Sequence, residues 1–89
     1  MNLNDDWTLK VNERVYKTLT RFSQKDRVKL ARVIEELPFD PYQGDIEKME
    51  GEKKSWRRRI GAFRIFYEII SQEKVIYVFR VERRTSKTY

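Results

Sequence analysis

The sequence predicts an α+β fold: an N-terminal strand, a two-helix hairpin, and a three-stranded antiparallel meander. Trp7 to Val11 alternates apolar and polar side chains with a period of two, which is typical of a strand. Residues 13–37 carry apolar side chains at helical spacing, and residues 56–82 hold three runs rich in aromatic and branched side chains. Because 89 residues are too few for two cores, we expect a single domain spanning 1–89.

Capping residues mark the start of each predicted helix. Asn12 precedes Glu13, and Ser23 lies three residues before Asp26 in a variant of the capping box. The first helix has one apolar stripe, formed by Val11, Val15, Leu19 and Phe22. In the second helix we expect these side chains to face the core: Val28, Leu30, Ala31, Val33, Ile34 and Leu37. Pro38 stops this helix, and the segment 38–51, with both prolines and two of the three glycines, is predicted to be a surface loop.

The three later strands are predicted over residues 56–60, 63–70 and 75–82. Their connections are short enough for antiparallel hairpins. Alternation predicts that the following side chains pack under the helices: Trp56, Ile60, Phe63, Ile65, Tyr67, Ile69, Val75, Tyr77, Phe79 and Val81. The opposite, open face would then present Arg57, Arg59, Arg64 and Arg80. Arg58 shares the face of Trp56, so either its stem lies along the rim with the guanidinium in water, or the face assignment of that strand is wrong.

Charge is unevenly distributed along the chain. The net charge is +6, yet residues 1–50 carry 9 basic and 10 acidic side chains, whereas residues 51–89 carry 11 and 4. A basic second half suggests an anionic partner, although a basic surface also serves solubility. Cysteine and histidine are absent, which excludes disulfides, zinc fingers and catalysis by thiolate or imidazole. No apolar run is long enough to span a bilayer and the start is acidic and polar, so we expect a cytoplasmic protein without membrane contact.

Several arginines on one sheet face suit RNA or DNA, because guanidinium groups bind phosphate bidentately, and Phe66 and Tyr89 are candidate base-stacking rings. The alternative is cross-strand pairing of the arginines with Glu68 and Glu82. Arginine cannot move protons at neutral pH, so a nuclease would need other groups for that step. The candidates are Lys53, Lys54, Glu82 and Tyr89, although Lys53 and Lys54 also fit a solvated turn. The loop carboxylates Asp40, Asp45, Glu47 and Glu50 more simply meet water than magnesium, so we expect neither metal nor cofactor.

The order of motifs over nearly the whole chain resembles the RelE/ParE superfamily of toxins from type II toxin–antitoxin modules. The segments that carry the resemblance are KDRVKLARVIEEL, DPYQGDIEKMEG, WRRRIGAFRIFYEI and VFRVERRTSKTY. Each piece alone is weak evidence, whereas their order and spacing together are specific.

The resemblance to RelE-type members implies a metal-independent endoribonuclease, an mRNA interferase that cuts mRNA in the ribosomal A site through attack of a 2′-hydroxyl on the scissile phosphate. It implies catalytic roles for Arg57, Arg59, Arg64, Arg84 and Tyr89. Arg57 and Arg59 replace lysines that take part in catalysis in RelE-type members, which leaves the proton acceptor open. We assign Lys53, Lys54, Arg80 and Arg83 to RNA binding.

The implied partners are a cognate antitoxin, the ribosome and mRNA. Two alternatives stay open: a ParE-like toxin that binds and inhibits DNA gyrase, and a catalytically weak RNA-binding relative.

Overall fold

A computed structural model describes residues 7–51 and 55–83. The described chain forms, in order, β1 (Thr8–Val11), α1 (Glu13–Leu19), α2 (Gln24–Glu36), β2 (Asp45–Lys48), β3 (Ser55–Ile60), β4 (Phe63–Ile70), a 3-10 turn (Ser71–Glu73) and β5 (Val75–Arg83).

The strands form one five-stranded mixed sheet in the order β1-β5-β4-β3-β2. The predicted α+β class, the N-terminal strand, the two helices and the antiparallel meander of β3, β4 and β5 are confirmed. Two features differ from the prediction. The segment predicted to be a loop contains a further strand, β2, and β1 joins the sheet by pairing with β5 in parallel.

The strand β2 is stabilised by charge complementarity with its neighbour. Asp45 lies opposite Arg59 and Glu47 lies opposite Arg57 in the antiparallel register. Opposite charges across a strand pair are favourable, and the Glu47–Arg57 ion pair supports the pairing of this mainly polar segment. The β2 strand thereby places two carboxylates beside the arginines of β3.

Both helices begin at the predicted caps. Asn12 Oδ1 accepts a hydrogen bond from the Arg14 backbone N–H at 2.9 Å, and Ser23 Oγ accepts one from Asp26 N–H at 3.2 Å. The second helix ends at Glu36, two residues before Pro38, which lacks the backbone N–H needed to continue it, while Leu37 keeps helical backbone angles. Neither helix of the described chain has the length and apolar character needed to cross a bilayer.

The helices cover one face of the sheet and enclose the core. The buried core side chains are Val15, Leu19, Leu30, Ile34, Leu37, Phe63, Ile65, Tyr67, Ile69, Ile76, Val78 and Val81. Val28 was expected to face this core, and that expectation is wrong: it is 51% exposed. Its position on the helix lies outside the stripe formed by Leu30, Ile34 and Leu37, which is sufficient to cover the sheet.

A β-bulge in β5 reverses the predicted faces of half of that strand. Phe66 pairs with Arg80 whereas the next residue, Tyr67, pairs with Val78, so Phe79 is the extra residue. Because the bulge shifts the alternation, Ile76 and Val78 pack under the helices. The prediction that Val75, Tyr77 and Phe79 pack there is therefore wrong, and Val81, beyond the bulge, faces the core as predicted.

The loop before β2 is attached to the helix side of the sheet. The Tyr67 hydroxyl donates a hydrogen bond to the Pro41 carbonyl, and Tyr42 packs edge-on against Trp56 at 5.5 Å between ring centroids. Arg58 is half-buried on this side, which confirms the face assignment of β3. A Cβ on Gly44 would lie 2.8 Å from Arg58 Nε, and Gly44 has φ +88°, so this position requires glycine. These contacts fix where β2 begins.

Candidate active site

Three strands bring the predicted open-face arginines together. Arg57 and Arg80 lie on either side of Phe66 in the β3-β4-β5 register, and Arg59 lies opposite Arg64. Paired residues of antiparallel strands share a face. The structure thus places Arg57, Arg59, Arg64 and Arg80 on one surface, as the period-two pattern predicted.

The Arg59 and Arg64 pair is the unusual element of this surface. Like charges directly opposite each other across two strands are destabilising unless an anion lies between them or a partner offsets one of them. Arg64 Nη1 lies 3.3 Å from Glu82 Oε1. Arg59 is exposed and forms no ion pair with any carboxylate in the described part of the chain. Within this pair, Arg59 is therefore the cation that can bind an external anion.

Two carboxylates from β2 complete the site. Glu47 forms an ion pair with Arg57 while remaining 67% exposed at its side chain. A shallow depression of about 110 Å³ is lined by Asp45, Glu47, Arg57, Arg59 and Arg64. A carboxylate beside guanidinium groups can accept a proton, which arginine cannot do. Sequence analysis missed the part played by Asp45 and Glu47, although their alternation with Ile46 was the signal for a strand facing the arginines.

Glu82 bridges two arginines of the open face. Its Oε1 pairs with Arg64, and its Oε2 lies 2.7 Å from Arg80 Nη2. The alternative of cross-strand pairing thus holds for Glu82, whereas Glu68 lies opposite Ser55 and Tyr77. Partly exposed ion pairs are worth only about 0–1 kcal/mol, so a phosphate can displace the carboxylate at small cost.

Carboxylates nearly balance the charge of the open face. Its described charged side chains are basic at Lys10, Arg57, Arg59, Arg64 and Arg80 and acidic at Asp45, Glu47, Glu68 and Glu82. The open face is therefore a patterned surface of paired charges, and most of the positive excess of the chain lies elsewhere.

The candidate stacking ring Phe66 is only 5% exposed. The Arg80 guanidinium lies over the Phe66 ring at 5.2 Å, and Phe79 packs beside it at 6.2 Å between centroids. Phe66 thus supports Arg80 and is not free to receive a base, contrary to the prediction. The bulge instead brings Phe79, which is half-buried, to this face.

The remaining predicted site residues are not brought into this group. Arg83 lies on the helix side, with its guanidinium 5.8 Å from the centre of the Phe63 ring. Four others lie outside the described residues: Lys53, Lys54, Arg84 and Tyr89. The described residues contain no group of three acidic, histidine or cysteine side chains placed to hold a metal ion.

The buried side chain of Tyr67, one of the described residues, has a shifted pKa. Burial raises the pKa of Tyr67 to about 12, although the charge of Arg58 opposes the shift. Its hydroxyl lies on the helix side and donates to Pro41. Tyr67 therefore has a structural role and no access to the depression.

Comparison with known proteins identifies the family. A family model for the ParE toxin of type II toxin–antitoxin systems, parDE, matches residues 7–87. The chain belongs to this toxin family. The resemblance to the RelE/ParE superfamily of type II toxins is thereby confirmed.

The relatives of this toxin also include RelE proteins. A candidate RelE1 toxin of Methanocaldococcus jannaschii is 27% identical over 81 residues, which cover 88% of this chain and 90% of that protein. RelE from the RelE–RelB complex of Pyrococcus horikoshii has a TM-score of 0.78 at 22% identity, covering 92% of this chain and 99% of that chain. The isolated RelE toxin of E. coli has a TM-score of 0.75 at 19% identity, covering 91% of this chain and 87% of that chain. The fold is thus RelE-like.

Proposed function

We propose that this toxin inhibits translation as a ribosome-dependent, metal-independent mRNA endoribonuclease. The observation that carries the proposal is the depression in which Arg59 and Arg64 face each other beside the Arg57–Glu47 pair. Opposed guanidinium groups fit a phosphodiester, because a phosphate between them removes their repulsion and accepts hydrogen bonds from both.

The chemistry needs one proton acceptor and one stabiliser of negative charge. The 2′-oxygen attacks phosphorus, an O2′–P bond forms, and the bond from phosphorus to the 5′-oxygen of the next nucleotide breaks, which leaves a cyclic phosphate. Glu47 is exposed in the depression and accepts the proton of the 2′-hydroxyl. Arg59 and Arg64 stabilise the charge that develops on the phosphate oxygens.

The leaving 5′-oxygen also needs a proton. The proposed donor is Tyr89, which lies outside the described residues. Arg84 completes the proposed catalytic set, and Arg80, Lys53 and Lys54 are proposed to bind the flanking RNA.

The proposed partners are the ribosome, mRNA and a cognate antitoxin. The solved RelE proteins from Pyrococcus horikoshii and Mycobacterium tuberculosis are each in complex with their antitoxin. We propose that an acidic antitoxin inhibits this toxin by covering its arginines, since opposite charges speed and orient association.

Primer extension on mRNA from a translating extract tests the proposal. Wild-type protein should produce breaks that require the ribosome. Arg64→Ala should lower the cleavage rate by a factor of about 10² or more, because it removes a preorganised cation from a charged transition state. Arg32→Ala, which removes an exposed arginine of α2, serves as the control and should cleave normally. Intact message at toxin levels that arrest growth would exclude the nuclease.

Gyrase inhibition is the second candidate function. The match to a ParE family model favours it, as does the engagement of Arg57 and Arg64 by carboxylates of the same chain. A supercoiling assay with purified gyrase decides: loss of supercoiling together with intact mRNA would assign this toxin to the gyrase-binding class.

A further inference from the structure

A second group of cations lies on the helix side of the sheet, at the β3–β4 turn. We define it as the basic corner: Arg27, Lys29 and Arg83. Lys29 reaches the turn, since its Nζ lies 3.8 Å from the position that a Cβ on Gly61 would take. Arg83 lies over Phe63, and Arg27 Nη1 donates to the Phe22 carbonyl at 3.1 Å.

Aromatic packing holds the corner together. The Phe22 and Phe63 rings lie 4.8 Å apart between centroids, so the residues that position Arg27 and Arg83 are in direct contact. A guanidinium stacked on a ring keeps the N–H groups at its edge available, and these can bind a phosphate in bidentate fashion. The corner is therefore a set of positioned cations.

The corner differs from the open face because no carboxylate of the described residues pairs with its cations. No carboxylate within residues 7–51 and 55–83 forms an ion pair with Arg27, Lys29 or Arg83. An anion that binds here displaces no carboxylate of the chain. The helical segment 13–36, which contributes two of these cations, carries seven basic and four acidic side chains.

The corner is continuous with the depression. Arg64 lines the depression and pairs with Glu82 on the open face, whereas the adjacent Phe63 and Arg83 face the helices. Among the described residues, the exposed turn Gly61-Ala62 and the strand ends lie between the two groups. We propose that an RNA strand held in the depression continues around this turn, and that the basic corner binds the phosphates of its flanking nucleotides. This inference rests on the proposed nuclease function.

An RNA backbone fits the corner better than a protein segment. Protein partners are anchored mainly by apolar and aromatic side chains that enter pockets. The rings at this corner are already packed against each other and under Arg83, whereas no carboxylate of the described residues pairs with the cations. Backbone phosphates satisfy such cations without sequence preference.

Length-dependent RNA binding tests the proposal. Fluorescence anisotropy would compare four-nucleotide and sixteen-nucleotide single strands, both 2′-O-methylated so that they cannot be cleaved. Wild type should bind the longer strand more tightly. Lys29→Ala combined with Arg83→Ala should remove most of that gain and reduce the log–log salt slope for the longer strand by about 1.4, at about 0.7 per phosphate contact on single strands. Binding of the short strand should not change.

Two further variants keep the test independent of folding. Arg83→Lys retains the charge and should keep most of the affinity for the longer strand. Lys10→Ala removes an exposed lysine of β1 that lies opposite Tyr77 in the strand register, six residues from Arg83 along β5. This variant should bind both the short and the long RNA as wild type does.

The outcomes separate this inference from the proposed function. If the double variant binds the longer RNA as tightly as wild type, the proposed role of the basic corner is wrong and the proposed nuclease is not affected. The same holds if the double variant loses equal affinity for both RNA lengths. Loss of binding to an acidic protein partner with RNA binding intact would reassign the corner to a protein contact. Absence of RNA binding by the wild-type protein, at either length and with or without ribosomes, would overturn the proposed nuclease and the corner together.

Discussion

At the scale of single residues, the site presents two kinds of arginine. Arg57 and Arg64 are engaged by Glu47 and Glu82, whereas Arg59 has no ion-pair partner in the described chain. Arginine supplies charge and directed hydrogen bonds but cannot act as a base. A strand with three successive arginines therefore needs a neighbouring acceptor, and β2 supplies Glu47 at the register of Arg57.

Glu47→Gln tests this division of roles. Glutamine preserves the shape of the side chain but cannot accept the proton, so the single-turnover cleavage rate should fall by a factor of about 10²–10⁴. RNA affinity should stay equal or increase, because Arg57 loses its internal competitor. Glu68→Gln makes the same charge change on the same face, outside the depression, and should leave the rate unchanged. A Glu47→Gln protein that cleaves at the wild-type rate would make Glu82 or a residue outside the described chain the acceptor.

At the scale of the elements, sequence patterns correctly predicted those features that depend on residues close together in the chain. The caps at Asn12 and Ser23 and the β3–β4 hairpin follow from short-range signals, and the structure confirms them. The strand β2 was missed because its apolar alternation rests on Ile46 alone, and the charge that supports its pairing comes from the next strand, β3. The parallel contact of β1 with β5 and the bulge at Phe79 likewise have no local signature. Sequence alternation found the four open-face arginines and left their pairing with Glu68 and Glu82 open, but the loop predicted for residues 38–51 hid the carboxylates of Asp45 and Glu47.

The attachment of the loop before β2 gives a prediction at this scale. Tyr67→Phe removes the hydrogen bond to Pro41 and should lower the free energy of unfolding by about 1–2 kcal/mol near pH 8. In wild type, burial raises the pKa of Tyr67 from 10.0 to about 12, so the folded state binds a proton that the unfolded state loses between these values. Stability from this group is complete below pH 10 and is lost as the pH rises toward 12.

Urea unfolding at two pH values measures this effect. By about pH 11 the free energy of unfolding of wild type should fall by about 1.4 kcal/mol relative to that of Tyr67→Phe. The difference in stability between the two proteins therefore narrows or closes. Tyr16→Phe removes an exposed hydroxyl and should follow the wild-type profile. A constant gap from pH 8 to 11 would show that Tyr67 ionises equally in the folded and unfolded states.

At the scale of the whole molecule, the net charge of +6 is a poor guide to where an anion binds. The open face is close to neutral because β2 and β5 contribute carboxylates among the arginines. Free cations remain at Arg59 and at the basic corner. A paired arginine that binds a phosphate leaves its carboxylate unpaired, and the freed carboxylate attracts a cation, so the net release of cations from the RNA is small.

The salt dependence of RNA binding follows from this distribution, because its slope reports how many cations of the protein contact phosphates. Seven cations, those without a carboxylate partner in the described chain and those proposed to contact RNA outside it, predict a log–log slope of about −5 for a long single strand, at about 0.7 per contact. They are Arg27, Lys29, Arg59, Arg83, Lys53, Lys54 and Arg84. Raising the salt from 50 to 200 mM should then weaken binding about 10³-fold. If Arg57, Arg64 and Arg80 contributed fully as well, the slope would be about −7 and the loss about 10⁴-fold. Glu47→Gln should steepen the slope by about 0.7, because no carboxylate is then left to take up a cation when Arg57 binds a phosphate. Anisotropy titrations at several salt concentrations give both slopes, and a wild-type slope near −7 would show that the carboxylates do not compete with RNA.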